Sequence, residues 1–454
     1  MTEPTPISPP ASPARAPEAV SFTEAFWYWL KLGFISFGGP AGQIAIMHTE
    51  LVEQKRWISE KRFLHALNYC MLLPGPEAQQ LAIYIGWLMH RTWGGIVAGT
   101  LFVLPSLFIL ITLSWIYLAF GNLPLVAGLF YGIKPAVTAL VLHAAHRLGS
   151  RALKNPWMWA IAVASFVAIF ALRLPFPLIV LSAGLIGFFG SKYRPALFAL
   201  GAGHGAAPAG FGPALIDDTS PTPTHALFSQ ARLWRVVFAG LLLWGAAFAL
   251  LLWAVGTQGV LTQMAWFFTK AALLTFGGAY AVLPYVYQGA VDHFQWLSGS
   301  QMVDGLALGE TTPGPLIMVV AFVGFVGAWT GQIFGPDSLF LAGAAAATVV
   351  TYFTFLPSFI FILAGGPFIE TTHGNLNFTA PLTAITAAVV GVIVNLTLFF
   401  AYHVWWPQGF SGRFDAVSAA ITLAAAVALL RYQVGVIKLI AACALAGLAI
   451  RLVF

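Results

Sequence analysis

The chain has 454 residues, of which 59% are hydrophobic and only 8% charged, against roughly 25% charged in an ordinary soluble domain. That balance excludes a water-soluble fold, and apolar runs long enough to cross a hydrocarbon core of roughly 30 Å recur along almost the whole length. Spans in lipid must satisfy their own backbone, and runs without two-residue alternation exclude a barrel, so the fold class is an all-α polytopic membrane protein.

The net charge of +6 implies no nucleic-acid partner, because short loops beside spans collect Lys and Arg under the positive-inside bias. Cys70 and Cys443 lie in separate apolar segments without CxxC spacing, which suggests neither a disulfide framework nor a thiolate metal site.

Residues 1–21 open the chain with six prolines in the first 20 positions, a single basic residue, Arg15, and no apolar core. They read as a disordered cytoplasmic tail, not a signal peptide. Thirteen apolar segments follow. Six lie near 22–48, 63–90, 94–119, 125–147, 156–172 and 175–190. A polar cytoplasmic linker at 191–234 then leads to a single connecting helix at 235–256. Six more segments lie near 261–288, 302–329, 339–364, 381–402, 415–432 and 434–453. The expected organisation is therefore a first half at 22–190 and a second half at 261–454.

The halves are related in sequence. Lys31, Phe37-Gly38-Gly39, Trp57, Ser59 and Pro74-Gly75-Pro76 are matched by Lys270, Phe276-Gly277-Gly278, Trp296, Ser298 and Pro313-Gly314-Pro315, every pair 239 residues apart. Pro105-Ser106 and Pro357-Ser358 extend the match after a 13-residue insertion. Six segments, one connector and six more invert the second half relative to the first. Loop charge agrees: 49–62 carries Lys55, Arg56, Lys61 and Arg62, whereas 289–301 carries no Lys or Arg. The charge distribution fits best if the first two segments of each half are re-entrant hairpins, giving nine full spans and four hairpins. The N-terminus is then cytoplasmic and the C-terminus on the opposite side.

Phe-Gly-Gly and Pro-Gly-Pro fall in mid-segment, where Pro removes a backbone donor and pushes the preceding residue out of the α region. Non-helical backbone at membrane depth persists where it is buried in protein or lines a wet cavity, so four breaks point to a central site. A half-helix starting at a break presents free N–H groups and a positive dipole end, which favour an anion. Lys31 and Lys270 precede Gly38 and Gly277 by seven residues, about two turns, so each can share a face with its break.

The candidate anion-binding residues are thus Lys31, Ser36, Gly38, Gly39, Pro74, Gly75, Pro76, Lys270, Thr275, Gly277, Gly278, Thr312, Pro313, Gly314 and Pro315. Asn68, Gln79, Gln80 and Thr311 also lie near the breaks. Glu77 and Glu310 flank the Pro-Gly-Pro breaks at non-equivalent positions, and an acid in a low-dielectric site beside a bound anion can couple its protonation to binding.

His143-Ala-Ala-His146 puts two imidazoles on one helix face, but with no third ligand nearby and Arg147 adjacent it is a poor zinc site. Gly201-Ala-Gly-His-Gly205 follows no strand and is not a dinucleotide loop. No HExxH, P-loop or nucleophile elbow is present. The expectation is no enzyme, no cofactor and no metal.

Gly33-Phe-Ile-Ser-Phe-Gly-Gly-Pro40, Trp57 and Leu73-Pro-Gly-Pro-Glu-Ala-Gln79, with Phe276-Gly-Gly278, Trp296 and Thr312-Pro-Gly-Pro315 in the second half, resemble the signature of the chromate ion transporter family in its long two-domain bacterial form. The resemblance runs from about residue 22 to the end. It implies efflux of chromate across the inner membrane driven by the proton-motive force, resistance to chromate, and two antiparallel homologous halves. Sulfate has the same charge and nearly the same shape and is the alternative substrate; a passive anion conduit is the alternative mechanism, and a homodimer is left open. Leu316 stands where Glu77 would be and Ala279 where Pro40 would be, so equal roles for the two halves do not follow.

Overall fold

The computed structural model describes residues 17–198, 211–218, 220–276, 278–371 and 379–453. Most of the N-terminal tail, the Gly201–Gly205 run and Gly277 lie outside the described residues.

In the first half, α1 (Phe22–Ile35) and α2 (Gly39–His48) flank Phe-Gly-Gly, and α2 continues as one π-helical turn, Thr49–Gln54. Next come α3 (Glu60–Cys70), α4 (Glu77–Phe120), α5 (Pro124–Ala152), α6 (Pro156–Phe170), α7 (Phe176–Tyr193) and the single turn α8 (Pro195–Phe198). The connector is α9 (Gln230–Val255). The second half repeats the pattern with α10 (Val260–Leu273), α11 (Ala279–Tyr287), a π-turn at Gln288–His293, α12 (Gly299–Thr311) and α13 (Val319–Thr330). It ends with α14 (Leu339–Thr371), α15 (Thr379–Trp405), α16 (Ala416–Leu430) and α17 (Val436–Val453). The two π-turns fall 239 residues apart, on the sequence repeat.

α4 is two helices in one run: His90 and Arg91 leave helical geometry, with Arg91 at φ 57°. The part before this kink pairs with α3, and the part after it is a full span. In the second half a wider separation at 331–338 divides the same two parts into α13 and α14.

Contacts along each hairpin show that the chain doubles back. Lys31 of α1 meets Glu50 at 2.9 Å and Glu24 meets Lys55 at 3.9 Å, so the chain retraces its path after Phe-Gly-Gly. His90, at the far end of the α3/α4 hairpin, bonds the Val20 carbonyl at 2.9 Å, bringing that hairpin back to the same end. In the second half Trp296 stacks its edge on Phe267 of α10, and Thr330 of α13 donates to the Trp296 carbonyl. This places the beginnings and ends of both second-half hairpins together.

The inversion follows from the long helices. α14 brings Glu370 to Arg62, at the first-half hairpin ends, whereas α4 brings Tyr117 to Asp304 of α12, at the opposite end. The halves are also interleaved. α6 and α7 pack on α15, and α16 and α17 pack on α5. Gly447 of α17 lies against Gly132, and its counterpart Gly187 of α7 lies against Ala384. Small residues at these crossings let backbones approach closely, which is how helices associate in lipid without a hydrophobic drive.

Among the described residues seven helices are long and apolar enough to span, the second part of α4 counted through the whole run. The expected nine spans also include α6 and α16, each of 15 residues; at 1.5 Å per residue these are about 22 Å long, short of a core of roughly 30 Å. Outside, the molecule is apolar: Trp253, Phe238, Leu241 and Leu250 of α9 are exposed. Inside, Gln43, Gln79, Gln80, Asp304 and Glu310 are buried. That reverses the distribution of a soluble protein.

Candidate functional site

The four breaks meet. Gly75 donates its N–H to the Thr275 carbonyl at 2.8 Å, and Gly314 donates to the Ser36 carbonyl, also at 2.8 Å. Gly75 and Gly314 are repeat partners, as are Ser36 and Thr275, so each Pro-Gly-Pro of one half is tied to the Phe-Gly-Gly approach of the other. Further contacts obey the same symmetry: a Cβ on Gly75 would strike Ser358, and one on Gly314 would strike Ser106. The repeated spacing read from sequence is thus one crossed structure made twice.

The helix starts around this crossing are bare. Of the helices that begin in loops, α1, α3, α6, α12 and α16 have a side-chain N-cap, Ser21, Ser59, Asn155, Ser298 and Asp415, and α5, α7, α9 and α10 have none. α2, α4 and α11, which begin at breaks, have Gly38, Pro76 and Gly278 at that position and no capping hydrogen bond; Pro315 opens a 3-10 turn, Leu316–Met318, equally uncapped. An uncapped helix leaves up to four N–H groups unpaired by its own helix. Gly38, Gly39 and Gly278 take φ of 86°, 66° and 93°, a region that side chains with a Cβ enter only at a cost, so glycine permits the sharp redirection there.

The charged groups at the centre are Glu77, in the first turn of α4, Glu310 near the end of α12, and Arg147 of α5. Glu77 Oε1 lies beside Gly278, Glu310 accepts a hydrogen bond from the Tyr280 hydroxyl, and the Arg147 guanidinium acts electrostatically on Glu77, Glu310 and Tyr280 together. No ion pair within 4.0 Å is closed by Arg147 among the described residues. Unpaired buried polar atoms surround the crossing: both amide atoms of Gln79, Gln43 Oε1, Gln80 Oε1 and Ser106 Oγ. Each such group costs roughly 1–3 kcal/mol while it lacks a partner, so this is a place where water or a polar solute is strongly favoured.

The expected residues distribute as follows. Gly38, Gly39, Gly75, Gly278, Gly314, Pro74, Pro76, Pro313 and Pro315 form the crossed breaks; the Pro74 carbonyl accepts from Gln80. Ser36 and Thr275 contribute carbonyls, while their hydroxyls donate back to Leu32 and Ala271, at 2.6 and 2.7 Å, which commits those protons to the ends of α1 and α10. Thr312 likewise donates to Gly309. Lys31 and Lys270 are not brought to the crossing. The Lys31 side chain is 59% exposed in its pair with Glu50, and the Lys270 ammonium lies over the Trp266 ring, exposed. Two turns of helix carry each lysine to its own face but outward from the break.

Three residues that sequence reading passed over are central here. Arg147 stood in view only as the neighbour of His146; its position at the end of an apolar run was the available signal. Tyr280 follows its glycine break by two residues. Gln43 donates to both the Ser36 and the Gly314 carbonyls, joining the halves, and only its place in the first turns after Phe-Gly-Gly hinted at this.

The sequence profile described as chromate transporter matches residues 23–188 and again 262–448, once over each set of hairpins and spans. The chain belongs to the chromate transporter family. It is 34% identical to a chromate transport protein of Pseudomonas aeruginosa over 86% of this chain and 84% of that one. It is 28% identical to a chromate transport protein of Cupriavidus metallidurans, covering 82% and 81%, and 27% identical to a probable chromate transport protein of Synechococcus elongatus, covering 83% and 84%. No solved structure matches. In this family member both profile matches contain a complete pair of broken hairpins.

Proposed function

We propose that this protein is a secondary transporter that exports chromate across the bacterial inner membrane and thereby confers resistance, with residues 22–190 and 261–454 as its two transporting halves. The observation that carries the reading is the reciprocal crossing of the breaks, which gathers bare helix starts, with Arg147 within electrostatic range of the two carboxylates there. A divalent tetrahedral oxyanion suits this chemistry: backbone N–H groups and dipole ends stabilise negative charge, and a guanidinium offers two parallel donors to it. The binding groups are the glycine and proline breaks with Arg147, and the buried amides of Gln43 and Gln79 add neutral recognition. Lys31 and Lys270 stay in the proposal as surface charges near the entrances, outside the site itself.

Glu77 and Glu310 are the groups we assign to proton coupling. When ionised, they compete with the oxyanion for Arg147; when neutral, they leave its charge to the anion. Export is also the direction favoured by the membrane potential, since each elementary charge crossing 100 mV is worth about 2.3 kcal/mol. The N-terminus and the 191–234 linker are cytoplasmic in this reading and the C-terminus periplasmic, which puts the basic loop 49–62 inside.

The test is uptake of radiolabelled chromate by everted membrane vesicles, with and without a proton gradient and with excess sulfate. Energised uptake that survives sulfate is the expected result. Uptake abolished by sulfate would reassign the substrate, and uptake that follows the membrane potential alone, with no response to a pH gradient imposed at clamped potential, would make the protein a passive conduit.

A further inference from the structure

At each end of the molecule a polar cluster joins one half to the other. At the first-half hairpin ends, Arg62 of α3 meets Glu370 of α14 at 3.5 Å, Tyr84 of α4 donates to the same carboxylate, and His65 bonds the Ile369 carbonyl at 2.9 Å. At the opposite end, Asp304 of α12 accepts from Tyr117 of α4 at 2.7 Å and from Lys134 of α5 at 3.2 Å. His65 and Asp304 are repeat partners, 239 residues apart, and Tyr117 and Ile369 are related by the longer offset that also relates Pro105 to Pro357. The two contacts are therefore one contact of the ancestral repeat, occurring once at each end with different chemistry.

We propose that these clusters are the two gates of the transport cycle: the site opens to one side when Glu370 leaves Arg62 and Tyr84, and to the other when Asp304 leaves Tyr117 and Lys134. This rests on the transport reading above. In inverted-repeat carriers access alternates by rocking one element against another around a fixed site. Here the last turns of the long helix of one half, α14 or α4, close on a hairpin helix of the other, α3 or α12, at each end, while the crossed breaks stay tied between them. Both clusters are formed in this structure, which in this cycle is a state with both gates shut.

The gates differ in one respect. The linker docks on the first: Ile216 pairs with Ile58 through backbone bonds, Asp218 accepts from Ser59 at 2.6 Å, the Ser220 carbonyl accepts from Arg62 at 2.8 Å, and Thr222 donates to Glu370 at 3.4 Å. Both members of the ion pair are thus held from outside by a segment that lies between the repeats and has no counterpart in the second half. That end requires the linker to lift or move with α14.

The experiment uses the full chain with Cys70 and Cys443 replaced by alanine and a single reporter, Ala41→Cys, in the first turn of α2 beyond the break. Its reaction with a membrane-impermeant thiosulfonate is timed from each face, in right-side-out and everted vesicles, without substrate. Glu370→Gln and the milder Tyr84→Phe are expected to raise the rate at least tenfold from the face of loop 49–62 only. Asp304→Asn and the milder Tyr117→Phe are expected to do so from the other face only. Thr222→Val should act like Tyr84→Phe, more weakly. A cysteine pair at Arg62 and Glu370, oxidised, should abolish labelling from its own face until reductant is added. Increases from both faces, from the wrong face, or from neither in the tyrosine variants would overturn the assignment. Because labelling needs no chromate, sided labelling without chromate uptake would leave the gates standing and sink the substrate reading.

Discussion

Gly314 is the position where the crossed architecture can be weighed directly. Its φ is 101°, and a Cβ there would lie 2.7 Å from Ser106 Cβ, whereas carbon atoms sit comfortably at about 3.5–4.0 Å. Gly314→Ala therefore carries two separable costs: roughly 1–3 kcal/mol for holding a side-chain-bearing residue in that backbone region, and roughly 1–3 kcal/mol for overpacking against α4. A total of about 2–6 kcal/mol is a large share of a typical stability of about 5–15 kcal/mol. Adding Ser106→Gly removes the overpacking and leaves the backbone cost, at a helix-propensity penalty of about 0.5 kcal/mol, so the double variant should regain about half of the loss. The assay is thermal denaturation of the detergent-purified protein followed by size-exclusion, alongside chromate uptake. Wild-type stability in Gly314→Ala, or no recovery at all on adding Ser106→Gly, would refute the close approach of the Pro-Gly-Pro of one half to α4 of the other.

Removing the guanidinium in Arg147→Gln should raise the half-saturating chromate concentration roughly 10- to 150-fold, the equivalent of the 1.5–3 kcal/mol of a charged hydrogen bond, with normal elution of the protein; an unchanged value would remove Arg147 from the site. Lys31→Ala and Lys270→Ala should change stability by no more than about 1 kcal/mol, as expected of exposed charges, and leave half-saturation within about twofold; a loss of uptake comparable to Arg147→Gln would return the lysines to the site. Glu77→Gln and Glu310→Gln should each keep uptake driven by membrane potential while losing the part driven by the pH gradient, and a pH-gradient response intact in both would end their role in coupling. Lys61→Cys and Ser300→Cys, exposed repeat partners, should react with impermeant reagents from opposite faces of the membrane; reaction from one face would contradict the inversion.

The fold was legible in the sequence to the extent that backbone constraints leave marks. Phe-Gly-Gly and Pro-Gly-Pro interrupt their helices where the single prolines Pro105, Pro135 and Pro357 stay inside continuous ones, and the recurrence of the clustered breaks at one spacing marks a repeat, so the hairpins and their partners were placed to within a few residues. What the sequence could not convey was which break touches which. The bond from Gly75 to Thr275 joins positions separated by the whole first half, and no periodicity encodes it. The same distance hid Arg147, which reaches the centre from a helix whose own sequence looks like an ordinary span end. Lys31 shows the converse failure: helical spacing fixes a residue's angle relative to the break, but the direction of the protein centre is decided by α4 packing on the other face of α1.

The two halves share a backbone and divide the chemistry. At the positions repeat-related to Gln43, Glu77, Gln79 and Gln80 the second half has Val282, Leu316, Met318 and Val319, all buried. Bare helix starts are therefore supplied from both sides of the pseudo-symmetry, and the side-chain recognition comes from one. A strictly symmetric site would face two identical gates and give the anion no preferred handling by either. Here the polar half-helix belongs to the hairpins whose gate is strapped by the linker, while Tyr280 and Glu310 belong to those gated by Asp304. In the proposed cycle symmetric dipoles would hold the anion at the crossing in either state, and unequal side chains would make the approach from one mouth chemically different from the exit through the other. Transplanting Gln79 and Gln80 onto positions 318 and 319 should for that reason alter uptake kinetics differently in everted and right-side-out vesicles; equal effects in both would mean that the halves contribute to the site alike.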